Sequence, residues 1–298
     1  MSKASQAGFF LWSKLSDPKW LDAWQERLGH VPGADLVITS VPGKKLARVE
    51  LYAAVESLLK KIQREWGGSI RAVKSANWAA MSSQTMPDLL IRSSLVVADA
   101  RSKSQLAAAA KRHPGKALVA IPSDLAFGTG HHATTATVLR FLVDVSKSLV
   151  GPWEMADVGC GSGILAIAAL RLGASKAWAC DFDACAVAVS QENFVRNKVE
   201  AEATARCVDV LQWKPRRQWE VVAANIFVDV LEASAAKLVG AVKPGGHLMV
   251  SGILSTHAPA CLKAFEAQGI GWQSVVRRGK WVSALGRRPA AARPGRRA

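Results

Sequence analysis

The sequence predicts an α/β protein, a doubly wound parallel sheet preceded by a smaller α+β domain. Three observations carry that expectation. From residue 119 onward, short apolar runs rich in β-branched residues alternate with stretches of helical periodicity, the rhythm of successive strand–helix units. Glycine clusters fall where strands give way to helices, as in DVGCGSG at 157–163. Ahead of residue 119 that alternation is absent, and a chain of 298 residues has room for two domains.

Taken in order, Asp17 and Pro18 cap and open a helix over 17–29 that Gly29 can end. ADLVITSV reads as a strand, Pro42-Gly43 as a turn, and YAAVESLLKKIQREW as a helix closed by Gly67-Gly68. A short strand follows at Ser69–Val73. Residues 1–75 thus form a Trp-rich α+β domain without a catalytic constellation. Residues 76–118 read as a connector holding one apolar strand, LLIRSSLVVAD, and a helix, SQLAAAAKR, stopped before Pro114. Within it, Gly115 and the HPGK turn at 113–116 are the expected hinge. The domain at 119–288 opens with a helix through Val138–Ser148. Strand MADV, helix ILAIAALRLG, strand AWACD, helix AVAVSQENFVRN and strand TARCVDV come next. Strand EVVAAN, helix VDVLEASAAKLVGAV, strand HLMVSGI and helix HAPACLKAFEAQG follow them. Two strands with no helix between them, near 272–277 and 281–286, close the domain as an edge hairpin. Residues 289–298 are a basic tail. A sheet wound this way binds its ligand at the carboxyl ends of its strands.

Composition bounds the rest. Half of the residues are hydrophobic, yet no apolar run reaches the ~20 residues of a membrane span. The opening segment, MSKASQAGFFLWSKLSDPKW, has a short apolar patch and no small-residue cleavage site, which argues against a secretory signal. Five cysteines, without CxxC spacing, argue against a disulfide framework or zinc site and for a reducing cytoplasm. The net charge of +16 fits two readings equally: a nucleic-acid partner, or a solvated basic tail such as RRPAAARPGRRA at 287–298.

Two motifs carry chemistry. In DVGCGSG the glycines permit a sharp turn and close approach of a ligand to the backbone, but Gly161-Ser-Gly163-Ile-Leu-Ala166 also meets the looser dinucleotide pattern. The glycines alone leave the cofactor open. Three further features favour S-adenosylmethionine (SAM). Asp157 stands two residues before the first glycine. Asp181 ends the next strand, where a carboxylate can accept from both ribose hydroxyls, although a dinucleotide enzyme also wants an acid there. KPGGHLMV at 243–250 turns into a late strand. Asp183 reads as a helix cap, Asp209 as either an adenine contact or a turn residue, and Asn225 as a strand-end amide that must find partners. The second motif, AFGTGHHATT at 126–135, has no Asp, Glu or Cys near His131 and His132 to complete a metal set, so no metal is expected. It also lacks the lysine of a phosphate-binding GxxxxGK loop.

AFGTGHHATT, DVGCGSGILAIAALRLGA, the strand-end acid of WACDFD and AANI together resemble the PrmA family, bacterial methyltransferases that modify amines of ribosomal protein L11. The family signature GTGxHxTT is met at Gly128, Thr129, Gly130, His132, Thr134 and Thr135, and the likeness runs from about Trp78 to Arg287 through the closing Gly279 and Trp281. The resemblance implies a Rossmann-like SAM-dependent methyltransferase domain. Its cofactor residues would be Thr135, Gly159, Gly161, Asp181 and Asn225, with Asn225 beside the transferred methyl as the catalytic residue. It further implies that AFGTGHHATT is the front wall of a SAM pocket whose back wall is DVGCGSG; His132 there reads as holding the loop by hydrogen bonding, with a general base as the alternative role.

The implied activity is methyl transfer to lysine or N-terminal amines of L11, by a monomer in the cytoplasm with no membrane contact. A weak contact with ribosomal RNA through the basic surface is compatible with it. Two alternatives stay open: the same fold acting on another protein, an RNA or a small molecule, and a non-catalytic SAM-binding protein of the ribosome. Asn225 is followed by Ile-Phe-Val, so the NPPY motif of nucleic-acid amine methyltransferases is absent. In the family a small front domain recognises the ribosomal protein, and residues 1–75 read as a departure from it.

Overall fold

The computed structural model describes residues 9–28, 31, 33–40, 46–53, 55–73, 86–122 and 130–290. The chain divides into two compact units, Met1–Thr85 and Met86–Ala298.

The first unit runs β1 (Phe9–Ser16), a 3₁₀ turn (Pro18–Trp20), α1 (Leu21–Leu28), β2 (Ala34–Ser40), β3 (Ala47–Ala53), α2 (Glu56–Trp66) and β4 (Ser69–Val73). Every neighbouring pair in its sheet, ordered β2-β3-β1-β4, is antiparallel. That β-α-β-β-α-β path is the split βαβ, or ferredoxin-like, arrangement. Its core gathers Trp12, Trp24, Leu28, Val49, Leu51, Ala53 and Leu59 between sheet and helices. Trp24 stands edge-on to Trp66, with ring centroids 5.4 Å apart. Two assignments change here. The apolar patch FFLWSKLS is β1, one of the two inner strands, and Tyr52 and Ala53 belong to β3, so the helix begins at Glu56. Alternation in ARVELYA was masked by the helix formers that follow it. The Pro42-Gly43 turn lies outside the described residues.

In the second unit, β5 (Leu89–Ile91), β6 (Leu95–Ala98), α3 (Lys103–Arg112) and β7 (Ala117–Ala120) build a three-stranded sheet, ordered β5-β6-β7. The stretch LLIRSSLVVAD is therefore a hairpin rather than one strand. Ser102 and Gln105 cap α3 reciprocally as a capping box. Ile91, Leu95, Val97 and Val119 join the main core of this unit, so the described part of 76–118 is packed structure. The HPGK turn sits within the unit, closed by Lys116 N–H to the His113 carbonyl at 3.4 Å. His113 and Arg112 are both held by Asp88, at 2.9 and 2.7 Å. It joins α3 to β7 and is not the hinge between the units, because Asp88 anchors it.

The remainder is a seven-stranded sheet ordered β10-β9-β8-β11-β12-β14-β13. Its strands are β8 (Glu154–Val158), β9 (Lys176–Asp181), β10 (Ala203–Cys207), β11 (Trp219–Asn225), β12 (Val242–Leu254), β13 (Gly271–Arg278) and β14 (Trp281–Arg287). Helices α4 (Ala133–Ser146), α5 (Ile164–Arg171), α6 (Ala184–Arg196), α7 (Val228–Ala241) and α8 (Ala258–Glu266) accompany them. Strands β8 to β12 run parallel, and the β13–β14 hairpin closes one edge antiparallel, as expected. The order reverses between β8 and β11, which places a crevice at their carboxyl ends. Two apolar layers cover the sheet, one around Leu139, Leu142, Ile167 and Phe194 and the other around Leu231, Leu238, Phe265 and Trp219. Among the described residues no helix is long and apolar enough to cross a membrane.

Candidate functional site

The crevice at the β8/β11 switch point is built around the glycine loop. Gly159, Gly161 and Gly163 take φ of +73°, +53° and +75°, the left-handed region that side chains disfavour. Gly159 and Cys160 both donate to the Cys180 carbonyl of β9, at 2.8 and 2.9 Å. Gly161 N–H donates to Asp181 Oδ2 at 3.0 Å, while Asp181 Oδ1 accepts from Asp183 N–H at 3.1 Å. The strand-end acid thus holds the loop, and each of its oxygens keeps a lone pair for a further donor.

Beneath the loop, Asp157 is fully buried. Its Oδ2 accepts from Ala166 N–H at 3.2 Å, which fixes the start of α5, and its Oδ1 is a buried acceptor without a partner. Burial, with the Asp181 charge adding and the Ala166 amide opposing, pushes its carboxyl up to about 7. A cationic donor placed against it would draw it back to the ionised form.

The front motif meets this loop. Gly130 (φ +88°) lies so close to Ile164 that an added Cβ would stand 3.1 Å from its Cδ1. His132 precedes α4, its Nδ1 is 2.7 Å from Thr134 Oγ1, and its ring stands edge-on to Trp281 at 5.4 Å. His131 Nε2 bonds the Pro87 carbonyl at 3.0 Å. The threonine pair lies inside the first turn of α4, which starts at Ala133 rather than Val138. Thr135 is buried, and Asn225 Nδ2 donates to its Oγ1 at 3.2 Å. That bond spans 90 residues of sequence and leaves Oδ1 of Asn225, the last residue of β11, as an acceptor. Gly128 and Thr129 lie outside the described residues. No group of three His, Cys, Asp or Glu side chains arranged for a metal occurs among the described residues.

Of the flanking acids, Asp183 caps α6, accepting from Cys185 N–H at 2.8 Å. Asp209 lies two residues beyond the end of β10 and accepts from Leu211 N–H and Gln212 Nε2, which makes it a turn residue. Asn225 is half-buried rather than buried. Sequence reasoning missed Gly252 and Ile226. Ile226 is wedged between two glycines: a Cβ on Gly159 would fall 2.1 Å from its Cγ2, and one on Gly252 would fall 2.5 Å from its carbonyl oxygen. This clamp fixes the peptide following Asn225. A glycine inside the strand pattern HLMVSGI was the available signal, since such a residue marks a bulge or a close backbone approach.

The donor set fits SAM. A left-handed glycine cradle, a strand-end carboxylate and an unpartnered buried carboxylate oxygen offer sites for a backbone-hugging ligand with hydroxyl and ammonium groups.

A family model for ribosomal protein L11 methyltransferase (PrmA) matches residues 16–289. The chain is 40% identical over 181 residues to the ribosomal protein L11 methyltransferase of Chromohalobacter salexigens, an alignment covering 59% of this chain and 58% of that one. It is 39% identical over 168 residues to the corresponding protein of Geobacter sulfurreducens, covering 56% and 54%. The matched region thus spans little more than half the length of these curated relatives. The crystal structure of the ribosomal protein L11 methylase of Lactobacillus delbrueckii subsp. bulgaricus is similar in fold, with a TM-score of 0.57 and 23% identity over 68% of this chain and all of that one. The family match begins at residue 16, so most of the front unit falls within the family pattern, contrary to the departure inferred for residues 1–75.

Proposed function

We propose that this chain, which belongs to the ribosomal protein L11 methyltransferase family PrmA, transfers methyl groups from SAM to lysine or N-terminal amines of L11. The observation that carries this reading is the Asn225–Thr135 bond, which sets an amide acceptor at the end of β11 beside the glycine loop. When bound, SAM supplies a sulfonium methyl as electrophile. Gly159 and Gly161 would admit its amino-acid end to the loop backbone, Asp157 would face its ammonium, and Asp181 would accept from its ribose hydroxyls. Asn225 Oδ1 would accept an N–H of the substrate amine and aim its lone pair along the methyl axis. A free lysine has a pKa of ~10.4, and exclusion of water from the crevice favours its neutral form. Alignment of the two reacting atoms then supplies much of the rate, without a dedicated base. The reaction belongs in the cytoplasm on this reading, in keeping with five free cysteines.

The test is purified enzyme, SAM and free L11, followed by intact mass. Progressive addition of methyl groups is expected, and an unmodified L11 would refute the substrate. Asn225→Ala should lower kcat by roughly 10²-fold, about 2.7 kcal/mol of transition-state stabilisation, with SAM affinity nearly unchanged. An unchanged kcat in the folded variant would remove Asn225 from the chemistry. For Asp181→Ala, loss of two ribose bonds worth roughly 0.5–1.5 kcal/mol each should weaken calorimetric affinity for S-adenosylhomocysteine by about 5- to 150-fold. Parent-like affinity would refute the ribose role.

A further inference from the structure

Three arginines from three elements converge beside α4, which packs against β5 and against β13. Arg92 lies in the β5–β6 turn, Arg140 in the middle of α4, and Arg278 at the end of β13. Asp144 binds Arg92 with both carboxylate oxygens, at 3.1 and 2.5 Å. Among the described residues neither Arg140 nor Arg278 has an ion-pair partner. The Arg140 guanidinium is pushed below its ordinary pKa by burial first and then by the charges of Arg278 and Arg92. Arg92 also holds a left-handed backbone, φ +52°, that a non-glycine residue adopts at a cost. Like charges crowded onto a partly desolvated surface repel, Asp144 is engaged by Arg92, and a bound anion would relieve the repulsion around Arg140.

The cluster is not isolated. β13 is the open edge of the sheet and ends at the same side as the crevice, because β14 runs antiparallel between it and β12. Beyond Arg278 the hairpin turn presents Lys280, which lies over the Trp281 ring at 5.2 Å. Trp281 in turn stands against His132 at the head of α4. A basic stripe therefore runs from Arg92 through Arg140 and Arg278 to Lys280, and ends beside the crevice.

We propose that this stripe binds the phosphodiester backbone of RNA alongside the methyl-transfer site, with phosphates lodged against Arg140 and Arg278. Guanidinium forks match phosphate oxygens in pairs, and the stripe consists mainly of arginine. A membrane surface would call for apolar side chains interleaved with the basic ones. The exposed apolar residue of β13, Val275, alternates to the sheet face opposite Arg278, and the exposed Leu90, two residues before Arg92, is a single apolar residue rather than an interleaved set. The choice of RNA as the polyanion rests on the ribosomal substrate proposed above; the anion site itself does not.

The test uses the full chain and a fluorescein-labelled 20-nucleotide poly(U) RNA, titrated by anisotropy across a salt series. The double variant Arg140→Gln/Arg278→Gln should bind about tenfold more weakly at low salt, and its log–log salt slope should be shallower by about 1.4, two contacts at about 0.7 each for single strands. Each single variant should show about half the change in slope, which keeps the test decisive should the double variant fold poorly. Affinity for S-adenosylhomocysteine and methylation of free L11 should stay at the parent level. Parent-like RNA affinity and slope in all three variants would place RNA binding elsewhere on the chain and overturn the proposal. Arginine-dependent binding to phosphatidylserine vesicles with none to RNA would overturn it too, in favour of a membrane contact. A parent that methylates L11 but does not bind RNA would sink the stripe alone and leave the enzymatic reading standing.

Discussion

A fragment spanning residues 86–298 is expected to bind S-adenosylhomocysteine nearly as tightly as the full chain and to leave L11 unmethylated. Every residue of the crevice, from Gly130 to Gly252, lies in the second unit, which carries both of its own apolar layers. The first unit closes a separate core of its own around Trp12, Trp24 and Leu51. Sites that share no partners couple by no more than about 0.5 kcal/mol, so cofactor affinity should change by about twofold at most. Methyl transfer is different, because it needs the amine within near-attack distance of the methyl, and a tethered recognition surface raises its local concentration there. Loss of that surface should lower the rate on L11 by at least roughly 10³-fold, a small part of the effective molarity available to well-placed groups. The measurements are circular dichroism to establish folding, calorimetry for the cofactor product, and intact mass for L11. Full-length rates from the fragment would show that the front unit does not recognise the substrate.

The parallel sheet was legible because its signals are local. Each strand is a short apolar run, and each glycine or strand-end acid stands at a junction, so DVGCGSG, WACD and AAN could be placed before any contact was known. The front unit was read less well for a physical reason. FFLWSKLS and ARVELYA are strands only because they pair with one another, Trp12 opposite Leu51 and Phe10 opposite Ala53, a register set by tertiary contacts that no window of sequence displays. YAAV could extend a helix or end a strand, and pairing of Tyr52 and Ala53 with β1 and β2 puts those two residues in the strand. The same limit hid Ile226. Its importance arises from glycines 67 residues back and 26 residues ahead, which approach it only after β8, β11 and β12 have assembled. HPGK was misjudged in the opposite direction: it has the composition of a hinge, but Asp88, 25 residues earlier, anchors it through His113.

Gly159→Ala should both destabilise the second unit and abolish cofactor binding, and Gly245→Ala is its control. The two glycines have nearly the same backbone, φ +73° and +80°, so each alanine incurs the left-handed penalty of about 1–2 kcal/mol. They differ in their surroundings. An added Cβ at Gly245 meets nothing within 4 Å, whereas at Gly159 it falls 2.1 Å from Ile226 Cγ2. Ile226 cannot easily yield. It is β-branched and stiff about χ1, and its backbone already presses on Gly252, where even one extra carbon would stand 2.5 Å from the Ile226 oxygen. Overpacking of this kind adds roughly 1–3 kcal/mol, so Gly159→Ala should cost about 2–5 kcal/mol in total. At about 2–4 °C per kcal/mol for a unit of this size, that lowers its Tm by roughly 4–20 °C, against a few degrees for Gly245→Ala. If the strain is relieved instead by shifting the loop, Ile226 moves and takes Asn225 with it. The loop carrying Gly159 and Gly161 then leaves its place between Asp157 and Asp181. Cofactor affinity should therefore fall beyond detection even in Gly159→Ala protein that remains folded at low temperature. Calorimetry below the lowered Tm separates the two effects. Equal Tm values for the two variants, or parent-like affinity in Gly159→Ala, would show that the glycine clamp around Ile226 does not set the geometry of the site.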